Sequence, residues 1–210
     1  MTTRAPAATS PDLEALVART SGPQPWRKVF HAFNATAVAV AVVVIEPPGA
    51  VLLGALAVLV AALLVADLVR LRSEPANQLF FKAFAALASP REARGIASST
   101  WYAIGILAAF ALFARDVAVS SVLVMGLGDP VAGYVGRRFG RRPFLGGTLE
   151  GTLAFVAVAA LVLAARHPLG LAVVAAAVSA LAERRSWPLD DNLAVPLACG
   201  ATLTALLWVA

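Results

Sequence analysis

The sequence predicts an all-α, multi-pass integral membrane bundle of about seven transmembrane helices. Three observations predict it: 60% of the 210 residues are hydrophobic, only 14% are charged, and the apolar residues occur in long uninterrupted runs. Such runs exceed the apolar stripe of a soluble amphipathic helix and are typical of chains that cross a bilayer repeatedly. The predicted segments are 30–45, 50–69, 96–114, 117–136, 149–165, 169–182 and 193–209.

Charge predicts the orientation of this bundle, because Lys and Arg in short loops favour the cytoplasmic side. With a cytoplasmic N-terminus, 15 of the 17 Lys and Arg residues lie inside, and only Arg115 and Arg166 lie outside. The net charge of +5 is then explained by basic loops that face an anionic leaflet, so no nucleic-acid partner is expected. We expect a multi-pass protein whose site lies on the cytoplasmic side, in the plasma membrane if the source is prokaryotic.

The chain divides into two predicted parts. Residues 1–25 are rich in Ala, Pro, Thr and Ser and predict a flexible cytoplasmic tail. Ser10 and Pro11 give it a short surface helix, as cap and first helical residue. No apolar core of a secretory signal precedes residue 25, so we expect the first segment to remain as an anchor. Residues 26–210 form one transmembrane domain.

The first two segments carry charges near their predicted cytoplasmic ends. Arg27 and Lys28 follow Trp26, and this pair alone is explained by anchoring at the interface. Asp67 and Arg70 are spaced i, i+3 and so share one helix face. Two interpretations stand for them: an intrahelical ion pair, or an acid that faces the bundle interior beside an arginine that faces a polyanion.

Residues 74–94 are too short and polar to span a bilayer but apolar enough to lie in its interface. A plain connecting helix and a roof over a lipid ligand are both compatible with this stretch.

The fourth segment places the acid Asp129 inside an apolar run, and the run ends in Arg137, Arg138, Arg141 and Arg142. A carboxylate in hydrocarbon is costly without a partner, so it is by default a candidate functional group. Four guanidiniums around a glycine-rich turn suit phosphate oxygens. Because proline fits the first turn of a helix and breaks its interior, we expect the helix to restart at Pro130 with Asp129 as its cap.

One face of the same segment is nearly bare of side chains. Small residues recur there every four positions, at Gly128, Ala132, Gly136 and Gly140. This permits close approach by another helix or by a ligand.

Two further stretches add polar groups on the same predicted side. Gly147 precedes Thr148, a predicted helix cap with Glu150 in the first turn, and the backbone N–H groups there form an anion site. Ordinary capping explains Thr148 and Glu150 equally well in isolation. Before the last segment, the oxygen-rich group Asp190, Asp191 and Asn192 has the ligand chemistry that Mg²⁺ prefers.

These stretches converge on one membrane face and predict a site for a nucleotide and a membrane lipid. Acids for a metal and arginines for phosphate suit phosphoryl transfer, which needs positioning and charge neutralisation above all. The P-loop pattern G-x-x-x-x-G-K-[ST] is absent from the sequence, so the chemistry is not that of a P-loop enzyme.

At this point the sequence resembles the CTP-dependent lipid-alcohol kinases: dolichol kinase, phytol kinase and CTP-dependent diacylglycerol kinase. The resemblance covers about residues 26–200. Its motifs are Gly128-Asp129-Pro130-x-Ala132-x-x-x-Gly136-Arg137-x-x-Gly140, Leu149-Glu150-Gly151-Thr152, Glu183 and Asp190-Asp191-Asn192-x-x-x-Pro196, with weaker matches at Arg27-Lys28-x-x-His31 and Asp67-x-x-Arg70.

The resemblance implies that residues 26–210 form a catalytic domain that transfers the γ-phosphate of CTP to a polyprenol, phytol or diacylglycerol hydroxyl. Mg²⁺ is the implied cofactor, CTP the donor and CDP the product. Asp129, Glu150 and Asp191 are the implied catalytic residues, and Asp129, Asp190 and Asp191 the metal ligands. The implied nucleotide or phosphate ligands are Arg27, Lys28, Arg70, Gly136, Arg137, Arg138, Gly147, Thr148 and Asn192. Which carboxylate removes the alcohol proton stays open, and so does homodimerisation.

One position departs from the family pattern. The family commonly has a lysine just before the Ser or Thr of its Glu-Gly motif, and here that position is Gly147. Arg141 or Arg142 is expected to supply the missing charge, and the preference for CTP over other nucleotides is left open.

Two other functions are compatible with the sequence. Phosphatidate cytidylyltransferases share a remote likeness of motifs and would release pyrophosphate instead of CDP. A small transporter or assembly subunit with a basic cytoplasmic face needs no catalytic Asp129.

Overall fold

A computed structural model describes residues 10–22, 24–185 and 189–209. The first nine residues of the predicted flexible tail lie outside the described residues, as do Ser186, Trp187 and Pro188 ahead of the predicted acidic cluster. Within the described part the protein is an all-α membrane helical bundle, so the predicted fold class is confirmed.

The helices follow the predicted segments closely, with one further short helix in the N-terminal tail and one in the connection between the second and third segments. They are α1 Pro11–Ala18, α2 Pro25–Ile45, α3 Gly49–Arg72, α4 Glu74–Ala83, α5 Ser98–Leu112, α6 Arg115–Phe139, α7 Leu149–Ala164, α8 Leu169–Arg184 and α9 Asp191–Val209. A 3₁₀ turn, Pro90–Ala93, precedes α5, and strands β1 Pro143–Phe144 and β2 Gly147–Thr148 form a small hairpin before α7.

Four of these helices, α2, α3, α6 and α9, are long and apolar enough to cross a membrane. α5 and α7 are apolar but shorter, with 15 and 16 residues. The count of seven spanning helices and the cytoplasmic N-terminus stay predictions, because length and composition alone identify four.

Helix α6 is the centre of the bundle. In its most apolar stretch 61% of the residues are buried, against 11% for α3, and α6 packs against α2, α5, α7 and α9. The small-residue face of α6 lies on α7: a side chain at Gly128 would meet the buried ring of Phe155, and Gly136 faces the Thr148 hydroxyl and Gly151. The bare face therefore serves the close approach of a helix.

The predicted break at Pro130 is wrong. Helix α6 runs through Pro130 without interruption, so Asp129 lies within the helix and does not cap a new one. An interior proline costs a helix about 3 kcal/mol or more. Packing of α6 on four neighbouring helices outweighs that cost.

The N-terminal helix α1 forms as predicted, with the Ser10 hydroxyl accepting a hydrogen bond from the Leu13 amide at 3.4 Å. Leu13 is buried against Phe81 of α4 and Ala88. Helix α1 thus rests on the connection between α3 and α5, while the division of the chain at residue 25 stays a prediction.

Candidate functional site

The predicted acid Asp129 has a partner, as its position in an apolar segment requires. Lys28 of α2 lies 2.9 Å from the Asp129 carboxylate and donates a second hydrogen bond to the Asp129 carbonyl at 3.1 Å. The Lys28 side chain is 17% exposed and that of Asp129 is 33% exposed, so the pair sits at the edge of the bundle and not in its core.

A glycine makes room for this pair and brings a second cation to it. A side chain at Gly133 would lie 2.2 Å from the Lys28 ammonium and 3.3 Å from Nη1 of Arg137. Lys28 and Arg137 therefore converge over Gly133, next to Asp129. Two neighbouring cations repel each other unless an anion lies between them, and this pattern suits a phosphate group.

The acidic group at the start of α9 is held together by its own hydrogen bonds. Asp190 accepts from the Asn192 side-chain amide at 2.7 Å and pairs with Arg91 at 3.0 Å. The Asn192 backbone amide lies 3.0 Å from Asp191 Oδ1. The amide of Asn192, a predicted nucleotide ligand, is thus engaged within the cluster.

Charges from several helices meet around these acids. His31 lies close enough to Asp129 and Asp190 for their charges to interact, and Asp191 interacts likewise with Asp129. Three of the predicted catalytic and metal residues, Asp129, Asp190 and Asp191, thus lie within electrostatic reach of one another where α6 packs against α2 and α9. This region is named the crevice.

The described residues include no group of three or more His, Cys, Asp or Glu side chains arranged to hold a metal ion. Mg²⁺ commonly binds one or two protein carboxylates and completes its shell with water and substrate phosphates, so a complete protein cage is not required. The Asp190 and Asp191 oxygens fit that chemistry.

Arg70 has other partners than the phosphate that the resemblance implies. It is 5% exposed and contacts Asp67 at 2.6 Å within α3. Its remaining donors reach the carbonyls of Glu92 at 2.6 Å and Gly95 at 2.7 Å. Asp67 in turn accepts from the Thr100 hydroxyl at 2.7 Å. The intrahelical ion pair, one of the two interpretations above, is the arrangement observed, and it ties α3 to the start of α5.

Arg27, another predicted phosphate ligand, lies at the start of α2. Its Nη1 atom is buried and has no hydrogen-bond partner within the described part of the chain. The nearest carboxylate, Glu92, is 3.9 Å away, which is longer than a hydrogen bond.

The loop between α6 and α7 is organised by the residues that capping predicted. The Thr148 hydroxyl accepts from the Gly151 amide at 3.2 Å, and Glu150 accepts from the amides of Arg141 and Arg142 at 3.1 and 3.3 Å. Glu150 thus shapes the loop through its backbone. Arg138, Arg141 and Arg142 are exposed, and Arg138 lies over the ring of Phe139 at 5.9 Å.

The cation beside Gly147 comes from another helix. A side chain at Gly147 would lie 2.0 Å from Nη1 of Arg184, so the Arg184 guanidinium occupies the space where the family's lysine is expected. Arg184 is fixed by Thr152 at 3.2 Å and by Glu183 at 2.8 Å. Burial raises the pKa of Glu183, which follows the predicted sixth segment, while the charge of Arg184 opposes the rise.

Sequence reasoning missed Arg184. It assigned the missing charge to Arg141 or Arg142, which are close in the chain to Gly147 but point to solvent. The signal lay in the glycine itself, because a glycine where a lysine is expected leaves room for a cation from elsewhere. Arg184 directly follows Glu183, a residue of the quoted motifs.

Two curated proteins resemble this chain. It is 30% identical over 78 residues to CTP-dependent diacylglycerol kinase 1 of Saccharomyces cerevisiae, a match that covers 37% of this chain and 27% of the yeast protein. It is 31% identical over 77 residues to CTP-dependent diacylglycerol kinase 1 of Eremothecium gossypii, covering 37% of this chain and 24% of that protein. The predicted resemblance to CTP-dependent lipid kinases is confirmed.

The chain spans only about a quarter of the length of each of these relatives in the matched region. No family model and no solved structure matches the chain. What the relatives' names say of donor and substrate is therefore carried to this protein only as a proposal.

Proposed function

We propose that this protein is a membrane kinase that transfers the γ-phosphate of CTP to the hydroxyl of a lipid alcohol. The observation that carries the proposal is the pairing of Asp129 with Lys28 beside Arg137. Asp190 and Asp191 lie within electrostatic reach of this pair. The likeness to two CTP-dependent diacylglycerol kinases supports the nucleotide and the class of acceptor. Polyprenols, phytol and diacylglycerol are the candidate acceptors.

In the reaction, the alcohol oxygen attacks the γ-phosphorus of CTP and the bond from that phosphorus to the β,γ-bridging oxygen breaks. CDP leaves with that oxygen, and the proton of the alcohol passes to a carboxylate. We assign this role to Asp129, because its carboxylate lies beside both Lys28 and Arg137, the cations proposed to bind the phosphates.

The cations have the complementary task of neutralising phosphate charge. Lys28 and Arg137 converge beside Asp129. The guanidinium of Arg184, from the end of α8, lies against Gly147 in the glycine-rich loop before the N-terminus of α7. Positioned cations of this kind lower the barrier because they stabilise charge that develops in the transition state. Glu150 acts indirectly, since its carboxylate accepts from the amides of Arg141 and Arg142 and so holds the loop backbone.

Asp190 and Asp191 are the residues that would hold Mg²⁺. When bound, the ion would neutralise phosphate charge alongside the arginines. Arg91 and Asn192 already orient the Asp190 carboxylate.

The membrane topology is part of the proposal. A cytoplasmic N-terminus brings the crevice to the cytoplasmic face, where a soluble nucleotide meets a lipid. The distribution of 15 of the 17 Lys and Arg residues supports this orientation.

Purified protein in detergent, supplied with Mg²⁺ and CTP labelled in either its α- or its γ-phosphate, tests the reaction type. We expect γ-label in the lipid fraction and CDP in solution. Lipid that carries α-label, with pyrophosphate released, would instead identify a cytidylyltransferase. A transporter or assembly subunit would transfer neither label while a known kinase works in parallel.

A further inference from the structure

A largely apolar cavity of about 330 Å³ lies between α2, α3, α4 and the start of α5. Its walls are mainly hydrocarbon and aromatic, with Phe30, Leu63, Phe80, Phe84 and Leu87 among them. A cavity of this size and lining is typical of sites that bury a small apolar ligand.

Polar side chains also line the cavity. Asp67 and Arg70 pair with each other, whereas Arg27, His31 and Ser98 come from α2 and the start of α5. Ser98 donates to the buried carboxylate of Glu92 at 2.8 Å and accepts from Arg91 at 3.0 Å, and Arg91 also contacts Asp190 at 3.0 Å. The side of the cavity at Arg27 and Ser98, the Arg27 end, is therefore connected through Arg91 to the proposed phosphate site.

Arg27 supplies an independent indication of a ligand. Its buried Nη1 atom has no hydrogen-bond acceptor among the described residues, and Glu92 at 3.9 Å is too far to serve. A buried donor left unpaired is unfavourable. An oxygen atom at the polar end of a ligand in the cavity would satisfy it.

We propose that this cavity holds one hydrocarbon chain of the acceptor alcohol, with the hydroxyl at the Arg27 end. The inference rests on the proposed function for the identity of the ligand. It assigns α4, an element that sequence alone left as a connecting helix or a roof over a lipid, to the lipid site. The exposed Phe84 and Leu79 of this region lie where a chain would enter from the membrane.

Crosslinking tests the site without requiring catalysis. The full-length protein in lipid nanodiscs would be labelled with hexadecanol that carries a diazirine near its chain end, and labelled peptides would be mapped by mass spectrometry. We expect the label on Phe80, Phe84 and Leu63. Even labelling of all lipid-facing helices would overturn the proposal. So would label centred on Phe33 and Tyr134, which line a separate groove between α2 and α6.

A matched pair of variants sharpens the result. Ala66 is exposed on α3 and lines the cavity, whereas Ala61 is exposed on the same helix outside it. Ala66→Phe should reduce labelling severalfold and Ala61→Phe should leave it unchanged. Equal effects of the two variants would contradict the site.

The role of Arg27 has its own readout. The wild type should label more strongly with the diazirine hexadecanol than with the corresponding hexadecane, and Arg27→Met should abolish that preference. A preference that survives in Arg27→Met would contradict the placement of the hydroxyl.

The cavity proposal and the kinase proposal can be contradicted independently of each other. Diffuse labelling with intact transfer of γ-phosphate would sink the cavity proposal alone. Localised labelling without any transfer would sink the kinase proposal alone.

Discussion

The ammonium of Lys28 contacts both the carboxylate and the backbone carbonyl of Asp129, at 2.9 and 3.1 Å. One side chain from α2 thereby fixes the acid of α6 and leaves that acid a third exposed. An ion pair at such a position contributes little to stability, on the order of 1 kcal/mol or less, because solvent screens it. The main effect of the pair is to fix the positions of the Lys28 and Asp129 charges.

Replacement of Lys28 by Met should therefore lower phosphoryl transfer far more than stability. We expect a loss of about 10²–10³-fold in kcat, the scale of one positioned electrostatic donor. The melting temperature in detergent should fall only slightly. Arg166→Met is the matched control, because it breaks another ion pair, between the turn after α7 and Asp116 of α6 at 2.5 Å, at the other end of the bundle. Equal effects of the two variants on kcat would count against a catalytic Lys28.

Gly147→Ala should weaken CTP binding. The new methyl group would displace the Arg184 guanidinium, which lies 2.0 Å from its position. A guanidinium is the mobile end of a side chain, so the fold should tolerate the change. We expect KM for CTP to rise roughly tenfold, the scale of one charge-assisted hydrogen bond.

Gly170→Ala is the control for this variant, because Gly170 lies in a helix with nothing within 4 Å of the added carbon. Its KM should equal that of the wild type. An unchanged KM in Gly147→Ala would remove Arg184 from the nucleotide site.

Gly128→Ala should destabilise the protein through the contact between α6 and α7. The added carbon would lie 2.6 Å from the ring of Phe155, which is fully buried and cannot move aside. Overpacking of this kind costs about 1–3 kcal/mol. Thermal unfolding in detergent measures the loss, and a second change, Phe155→Leu, should restore part of it. If the double variant is less stable than Gly128→Ala, the contact is misassigned.

Arg70→Met should unfold or strongly destabilise the protein, with no specific effect on KM for CTP. Loss of one partner from a buried pair costs about 3–5 kcal/mol, since the remaining charge of Asp67 stays buried without compensation. The measurement is the melting temperature together with KM of whatever protein folds. A folded, stable Arg70→Met protein with a raised KM for CTP would contradict this structural role and indicate that Arg70 binds phosphate.

Much of the fold was predictable because its signals are local. Runs of apolar residues marked the helices, and Ser10 and Thr148 marked two helix starts. The spacing of Asp67 and Arg70 placed both on one helix face and left an ion pair and a phosphate ligand as alternatives. Pro130 misled the prediction, because its local preference for a helix start is outweighed by packing that involves residues distant in the chain.

The acids of the candidate site could be predicted from the sequence, whereas its cations could be predicted less well. Carboxylates in or beside apolar segments are unusual, so Asp129, Asp190 and Asp191 can be recognised as candidate site residues from the sequence. The cations are numerous, and only the packing of helices decides which of them reach the crevice. It partly buries Lys28 and Arg184, places the exposed Arg137 next to Lys28, and buries Arg70 in an ion pair with Asp67. Arg141 and Arg142 stay exposed.

One assay, run with wild type and Asp129→Asn in parallel, tests the central claim most directly. It measures the transfer of γ-labelled phosphate from CTP to phytol, polyprenols and diacylglycerol. The account predicts labelled lipid with at least one alcohol for the wild type, and loss of that product in Asp129→Asn with the melting temperature nearly unchanged. Labelled lipid at wild-type rates from Asp129→Asn, or none from the wild type while a known kinase is active alongside, would contradict it.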